Sequence, residues 1–116
     1  MKFGRWTIWL ANLDPVIGSE QGKTRPVMVI SENQINEVLS VVNVLPITSR
    51  KKNRSVYPNE ALLPSKLSGL KKESIVLCYQ IRTLDKKRLV KKYGDLDDET
   101  VQQEIISALS FQLGIE

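Results

Sequence analysis

The sequence contains no histidine and only one cysteine, Cys78, among its 116 residues. Without histidine, the chain lacks the commonest general base, the commonest zinc ligand and every histidine-dependent catalytic triad. A single cysteine excludes an intramolecular disulfide framework, and the apolar neighbours of Cys78 favour a small buried side chain over a catalytic thiol. We therefore expect a function that needs no metal and no cofactor.

Long apolar segments are also missing. No run approaches the roughly 20 residues that span a bilayer, and the first residues lack the apolar region of a signal peptide. With one cysteine as well, we expect a cytoplasmic protein with no membrane association. The hydrophobic content of 41% and charged content of 26% are typical of a soluble globular protein, and we expect one domain over residues 1–116.

Charge is distributed unevenly along the chain. Residues 1–94 hold all 17 basic residues and 7 of the 13 acidic ones, a net +10, whereas the last 22 residues carry −6. The basic residues form clusters at 50–52, 71–72, 86–88 and 91–92. Such clusters are often only solvated surface, but a +10 body exceeds what solubility requires and favours a polyanionic partner.

Short β-patterned segments dominate the sequence. We predict strands over 6–13, 27–30, 41–47, 55–57, 74–84 and 90–93. The continuous apolar run 27–30 is typical of a buried strand. Pro46 cannot donate a ladder hydrogen bond, which predicts an edge or a bulge near the end of the 41–47 strand.

The last segment has the pattern of a helix. Asp97 is a good N-cap, and Gly114 provides a stop. Between them, an apolar stripe repeats every four residues at Val101, Ile105, Leu109 and Leu113. We also predict short helical turns over 32–39, capped by Ser31, and over 85–89. Several short strands followed by one packing helix predict a mostly β domain, a small antiparallel barrel or half-barrel.

The connection between the first two strands is unusually long and polar. Residues 18–26 read Gly-Ser-Glu-Gln-Gly-Lys-Thr-Arg-Pro, whereas an ordinary hairpin needs two to five turn residues. Pro26 fixes the backbone beside Arg25, which predicts a guanidinium at the mouth of a strand. The Gly-Lys-Thr at 22–24 is not a P-loop, because Ile17 stands where the first glycine is required and a strand follows. The segment predicts an anion site.

A second polar cluster, Thr48-Ser49-Arg50, follows the apolar strand 41–47. If the strands 27–30 and 41–47 are neighbours, this cluster and Arg25 converge on one ligand. Gln80 and Arg82 interrupt the 74–84 segment, either as solvent-facing alternates or as ligands. The guanidinium fork of Arg82 also suits a structural role in fixing loops.

Residues 9–31, Trp-Leu-Ala-Asn-Leu-Asp-Pro-Val-Ile-Gly-Ser-Glu-Gln-Gly-Lys-Thr-Arg-Pro-Val-Met-Val-Ile-Ser, closely resemble the N-terminal signature of the MazF/PemK toxin endoribonucleases. Residues 46–49, 79–85 and 96–99 resemble the same family in the expected order. The likeness implies an SH3-like barrel with a C-terminal helix that forms a homodimer and is silenced by an antitoxin protein. It also implies metal-independent cleavage of single-stranded RNA at a short sequence. The RNA 2′-hydroxyl is the attacking group, and the products are a 2′,3′-cyclic phosphate and a 5′-hydroxyl.

Carried over residue by residue, the resemblance implies that Arg25 and Thr48 are catalytic. The predicted substrate-binding residues are Ser19, Glu20, Gln21, Gly22, Lys23, Ser49, Arg50 and Gln80. Tyr79 departs from the acidic residue expected in some relatives, so base preference does not follow from the likeness.

Two other functions compete with this interpretation. A gyrase-poisoning toxin of the related fold would act through residues 111–116 rather than Arg25, and the run 9–31 counts against it. A non-catalytic RNA-binding barrel would bind RNA with a steep salt dependence and yield no product.

Overall fold

The computed structural model describes residues 2–115, so that Met1 and Glu116, the last residue of the 111–116 segment, lie outside the description. The helices and strands follow in the order β1 (Thr7–Asn12), β2 (Thr24–Val29), α1 (Asn33–Val38), β3 (Val41–Ser49), β4 (Glu60–Leu63), α2 (Ser65–Ser68), β5 (Ser74–Leu77), β6 (Arg82–Asp85), β7 (Leu89–Asp95) and α3 (Glu99–Leu113). Short 3₁₀ turns, Cys78–Gln80 and Lys86–Arg88, flank β6. None of the described helices has the length and hydropathy of a membrane span.

The strands pair antiparallel around β3. The order is β4-β5-β3-β2-β1-β7, and β6 also pairs with β3. Of the two alternatives predicted for Pro46, an edge or a bulge, the edge is wrong, because Pro46 lies opposite Val27 in the interior of the sheet. The missing N–H of Pro46 is tolerated there, since β3 continues from Ile47 in a ladder with β5.

The sheet is not closed by hydrogen bonds. Within residues 2–115, β4 and β7 end the strand order, and α2 fills the gap between them. Gly69 directly follows α2 with φ +77°, and a Cβ there would lie 2.3 Å from the carbonyl oxygen of Tyr93 on β7. The predicted mostly β fold with a C-terminal helix is confirmed, but its barrel is not closed, and α2 contacts β7 at the opening.

Two apolar cores lie on opposite faces of the sheet, because successive strand side chains alternate. One core holds Ile8, Met28, Ile30, Leu45, Ile47, Ala61, Leu63, Val76, Cys78, Leu96, Val101, Ile105 and Ala108. The other holds Trp9, Ala11, Leu13, Val27, Val29, Val42, Val44, Leu84 and Leu89. The helical stripe predicted from the sequence supplies Val101 and Ile105 to the first core, whereas Leu113 is 49% exposed.

Two predicted helix caps are wrong by one residue. Asp98 caps α3, and its Oδ1 accepts from the Val101 N–H at 2.9 Å. Glu32 caps α1 through the Asn33 N–H. Ser31 instead accepts from the Asn43 N–H at 3.0 Å, which joins the start of α1 to β3.

Two predicted strands also differ. Residues 55–57 are irregular, and the strand of this region is β4 at Glu60–Leu63. The 74–84 segment is divided by the Cys78–Gln80 turn into β5 and β6, which pair with different parts of β3.

Candidate active site

The ladder between β2 and β3 brings Arg25 and Thr48 close to each other. Val27 pairs with Pro46, and Val29 with Val44, in an unbroken antiparallel register. Extending that register by two residues places Arg25 opposite Thr48, just beyond the last paired residues. The strands part here because Pro26 has no N–H to donate, while Arg25 pairs with β1 and Thr48 with β5.

A cavity opens where the two strands part. Its volume is about 580 Å³. It is lined by Arg25, Pro26, Ile47, Thr48, Ser49, Gly69, Leu70, Lys71, Lys72, Ser74, Lys91 and Tyr93. The guanidinium and the hydroxyl predicted from separate motifs therefore share one cavity.

The Arg25 side chain is half-buried and held from one side. Its Nε donates to the Gly22 carbonyl oxygen at 3.0 Å. Its terminal nitrogens have no hydrogen-bond partner among residues 2–115, so they are available to a ligand. A guanidinium is always protonated and presents a planar fork of donors that fits the oxygens of a phosphate.

The loop that carries Gly22 is internally ordered. The Leu13 N–H donates to the Lys23 carbonyl oxygen, and the Lys23 N–H donates to Asp14 Oδ1, both at 2.8 Å. Glu20 Oε1 accepts from the Ile17 N–H at 2.6 Å. A Cβ on Gly22 would lie 2.8 Å from Asp14 Oδ1, so this position fits only glycine without rearrangement. The acidic side chains organise the loop, and the loop positions Arg25.

Gln80 and Arg82 fasten the same loop to the sheet. Gln80 Nε2 donates to the Ser19 carbonyl oxygen at 3.2 Å, and its Oε1 accepts from the Gln21 N–H at 3.4 Å. Arg82 Nη1 donates to the Leu13 carbonyl oxygen at 3.1 Å. Arg82 is thus bound to a loop, as its guanidinium fork suggests.

Most of the predicted substrate-binding residues do not line the cavity. Ser49 lies in the lining, whereas the 19–23 loop and Gln80 lie outside it. Arg50 is occupied elsewhere, since its Nη1 lies 3.1 Å from Glu73 Oε1 and its Nε donates to the Arg54 carbonyl oxygen at 2.9 Å. Binding roles for these residues stay predictions.

The lining also contains residues that the sequence patterns did not single out as a site. Lys71 and Lys72 come from the segment after α2, and Lys91 and Tyr93 come from β7. In the sequence these lysines are visible only as basic clusters. Strand pairing joins them to Arg25 and Thr48, because β1 pairs with both β2 and β7, and β5, which follows Lys71 and Lys72, pairs with β3.

The cavity is strongly cationic. Its lining holds four basic side chains and no carboxylate. In the described part of the chain, the ion pairs are formed by other cations, namely Arg5, Arg50, Arg54 and Lys92. The charges at the cavity are therefore not neutralised by protein, and the cavity suits a polyanion.

Solved structures of toxins share this fold. MazF from Deinococcus radiodurans superposes with a TM-score of 0.80 at 30% identity, covering 97% of this chain and 96% of that chain. The Mycobacterium tuberculosis toxin MazF-mt6 gives 0.76 at 23% identity, with 95% and 98% covered. An endoribonuclease from mycobacterial species, solved in complex with its cognate antitoxin, gives 0.76 at 22% identity, with 97% and 96% covered.

The family of PemK-like, MazF-like toxins of type II toxin–antitoxin systems matches residues 4–113. The chain therefore belongs to this family, and the resemblance found in the sequence is confirmed.

Proposed function

We propose that this toxin is a metal-independent endoribonuclease that cuts single-stranded RNA at a short sequence. The observation that carries the proposal is the shared cavity of Arg25 and Thr48, with its uncompensated positive charge. Family membership and the likeness to a mycobacterial endoribonuclease support the same activity. A reaction in which the substrate supplies its own nucleophile agrees with a chain that has no histidine and one cysteine.

The proposed reaction is attack of the RNA 2′-oxygen on the adjacent phosphorus. The O2′–P bond forms and the P–O5′ bond breaks, which gives a 2′,3′-cyclic phosphate and a 5′-hydroxyl. The 2′-hydroxyl loses a proton and the leaving 5′-oxygen gains one, so no net proton is consumed. The protein must hold the attacking and leaving oxygens in line and stabilise charge on the phosphorane.

Arg25 and Thr48 fit these two tasks. Because Arg25 is permanently protonated, we assign it to the phosphate and the leaving 5′-oxygen rather than to proton removal. The Thr48 hydroxyl, which β3 carries, donates a hydrogen bond to a non-bridging oxygen of the RNA phosphate. Loss of one such donor typically costs about 2.7–4 kcal/mol, or about 100- to 1000-fold in rate.

Assembly and inhibition are proposed from the family. A MazE–MazF complex of Deinococcus radiodurans contains a chain 31% identical to this one, with a TM-score of 0.73. We propose that an acidic segment of the antitoxin binds over the cationic cavity of this protein, where it takes the place of a polyanion. The homodimer is a further prediction, checked by light scattering of the purified protein.

The test is cleavage of a long transcript in EDTA, followed by mass spectrometry of the RNA ends. We expect a 2′,3′-cyclic phosphate from the wild type and a rate about 100- to 1000-fold lower from Arg25→Ala. Thr48→Val should also lose activity, whereas Thr48→Ser keeps the hydroxyl and should retain more of it. Lys87→Ala removes an exposed charge outside the cavity and serves as the control.

Undiminished cutting by Arg25→Ala would refute the role of Arg25. RNA binding without any product would favour the non-catalytic barrel, and inhibition of gyrase supercoiling without RNA cleavage would favour the gyrase poison.

A further inference from the structure

The cavity has a second wall opposite Arg25 and Thr48. It is formed by residues 69–72 and by β7, the two elements that meet where the barrel lacks a ladder. The backbones of these two elements approach each other closely. A Cβ on Gly94 of β7 would lie 3.1 Å from the carbonyl oxygen of Ser68 in α2. The backbone at the end of α2 therefore lies directly against the backbone of β7.

Tyr93 lines the cavity at an irregularity of β7, where its partly buried side chain also packs against the first apolar core. Gly94 pairs with Ile8 and Lys92 pairs with Trp9, so Tyr93 is the extra residue of a β-bulge. Bulges change the direction of a side chain and are frequent beside functional sites. The result is an aromatic ring in the lining of a cationic cavity, with the Lys91 ammonium 5.6 Å from the ring centroid.

Neighbouring lysines of β7 differ in their electrostatic partners. Lys92 Nζ lies 3.1 Å from Asp95 Oδ1 and does not line the cavity. Lys91, Lys71 and Lys72 line the cavity and form no ion pair with the described residues. Glu73, the carboxylate next to Lys72 in sequence, is bound to Arg50. The second wall therefore presents three ammonium groups that have no carboxylate partner among residues 2–115, and one of them, that of Lys91, lies over the Tyr93 ring.

A ring combined with cations matches the chemistry of a nucleotide better than that of a simple anion. Single-stranded nucleic acids bind by stacking bases on aromatic side chains while basic residues follow the phosphates. The cavity volume of about 580 Å³ also lies within the range of ordinary small-molecule sites, about 300–1,000 Å³.

We propose that Lys71, Lys72, Lys91 and Tyr93 form a subsite for the nucleotide next to the scissile phosphate. The lysines bind its phosphate and the Tyr93 ring stacks on its base. This inference rests on the proposed function, because it requires RNA to enter the cavity that holds Arg25 and Thr48.

Binding is measured in the Arg25→Ala background, in which we expect RNA cleavage to be about 100- to 1000-fold slower. The probe is a short fluorescent single-stranded RNA of random sequence, with its affinity followed between about 50 and 200 mM salt. Replacing all three lysines by alanine should lower the slope of log affinity against log salt by about 0.7, the contribution of the one phosphate contact that they share. The control Lys92→Ala should leave the slope within about 0.2 of its starting value.

Stacking is tested separately at Tyr93. Tyr93→Leu keeps an apolar side chain in the wall but removes the aromatic face, and should weaken RNA binding by about 5- to 150-fold. Tyr93→Phe keeps the face and should bind like the starting protein. In the active enzyme, Tyr93→Leu should raise KM more than it lowers kcat, whereas a misplaced Arg25 would lower kcat. Thermal unfolding of each variant checks that the fold is intact.

The failure of this subsite is distinguishable from failure of the proposed function. If the wild type cleaves RNA while the lysine and Tyr93→Leu variants bind it unchanged, the subsite is refuted and the nuclease stands. If those variants lose affinity for an acidic peptide but not for RNA, the second wall is a protein-binding surface and the proposal is overturned. If the wild type does not cleave RNA, both proposals fail.

Discussion

Replacing Gly69 by alanine tests the backbone contact between the end of α2 and β7, at the opening of the sheet. The new Cβ would lie 2.3 Å from the Tyr93 carbonyl oxygen, and the residue would have to keep φ near +77°. A left-handed conformation costs a non-glycine residue about 1–2 kcal/mol. Overpacking against fixed neighbours costs about 1–3 kcal/mol more. Together these effects predict a loss of about 2–5 kcal/mol from the free energy of unfolding.

Two other glycines separate the conformational effect from the clash. Gly114 has φ +68° and Gly18 has φ +58°, and a Cβ on either would meet nothing within 4 Å. In Gly114→Ala and Gly18→Ala the free energy of unfolding should therefore fall only by the cost of the left-handed conformation, about 1–2 kcal/mol each. The further fall in Gly69→Ala measures the backbone contact between the end of α2 and β7.

Urea unfolding, followed by the fluorescence of Trp6 and Trp9, gives these free energies. The lysines at 71 and 72 should also shift with residue 69, so Gly69→Ala should weaken RNA binding in the Arg25→Ala background. If Gly69→Ala loses no more stability than the two control variants, the close backbone contact between Gly69 and Tyr93 is refuted.

Two further outcomes follow from buried ionisable groups. The bidentate hydrogen bond from Arg54 lowers the pKa of Glu60 below its usual 4.5. The stabilisation of the fold by this pair is therefore complete above pH 4.5 and is lost as the pH falls through the lowered pKa of Glu60. The free energy of unfolding should fall more steeply below about pH 4.5 in the wild type than in Glu60→Gln, and equal slopes would contradict the assignment. Burial raises the pKa of Cys78 from 9.0 to about 12, so native protein at pH 8 should react with a thiol reagent about 1000-fold more slowly than protein unfolded in urea. Equal rates would show that the thiol is accessible.

The elements predicted well from sequence are those whose pattern is local. The apolar run 27–30 lies in or directly after β2, and the four-residue stripe gives α3. Arg25 and Thr48 could be singled out because each stands where an apolar strand meets a polar segment, and the family resemblance supplied their predicted catalytic roles. Their place in one cavity follows from the pairing of β2 with β3, which are consecutive strands joined through α1.

The elements that the sequence does not reveal depend on tertiary contacts. Residues 60–63 read Glu-Ala-Leu-Leu, a composition that favours helix, yet they form β4 because they pair with β5. Pairing also explains Pro46, whose central place depends on β3 changing partners. The second wall of the cavity likewise depends on a contact between residues 69 and 93, which a one-dimensional pattern cannot contain.

The opposite charges of the chain are separated in space as well as in sequence. The acidic helix α3 packs against β4 and the Cys78–Gln80 turn, and none of its residues lines the cavity. The cavity, in contrast, collects four cations without a carboxylate. Its local potential is therefore more positive than the net charge of +4 implies, because Glu99 and Glu104 of α3 contribute to that total but lie outside the lining. We therefore expect a polyanion to be attracted towards the cavity and repelled from α3, which would orient its approach.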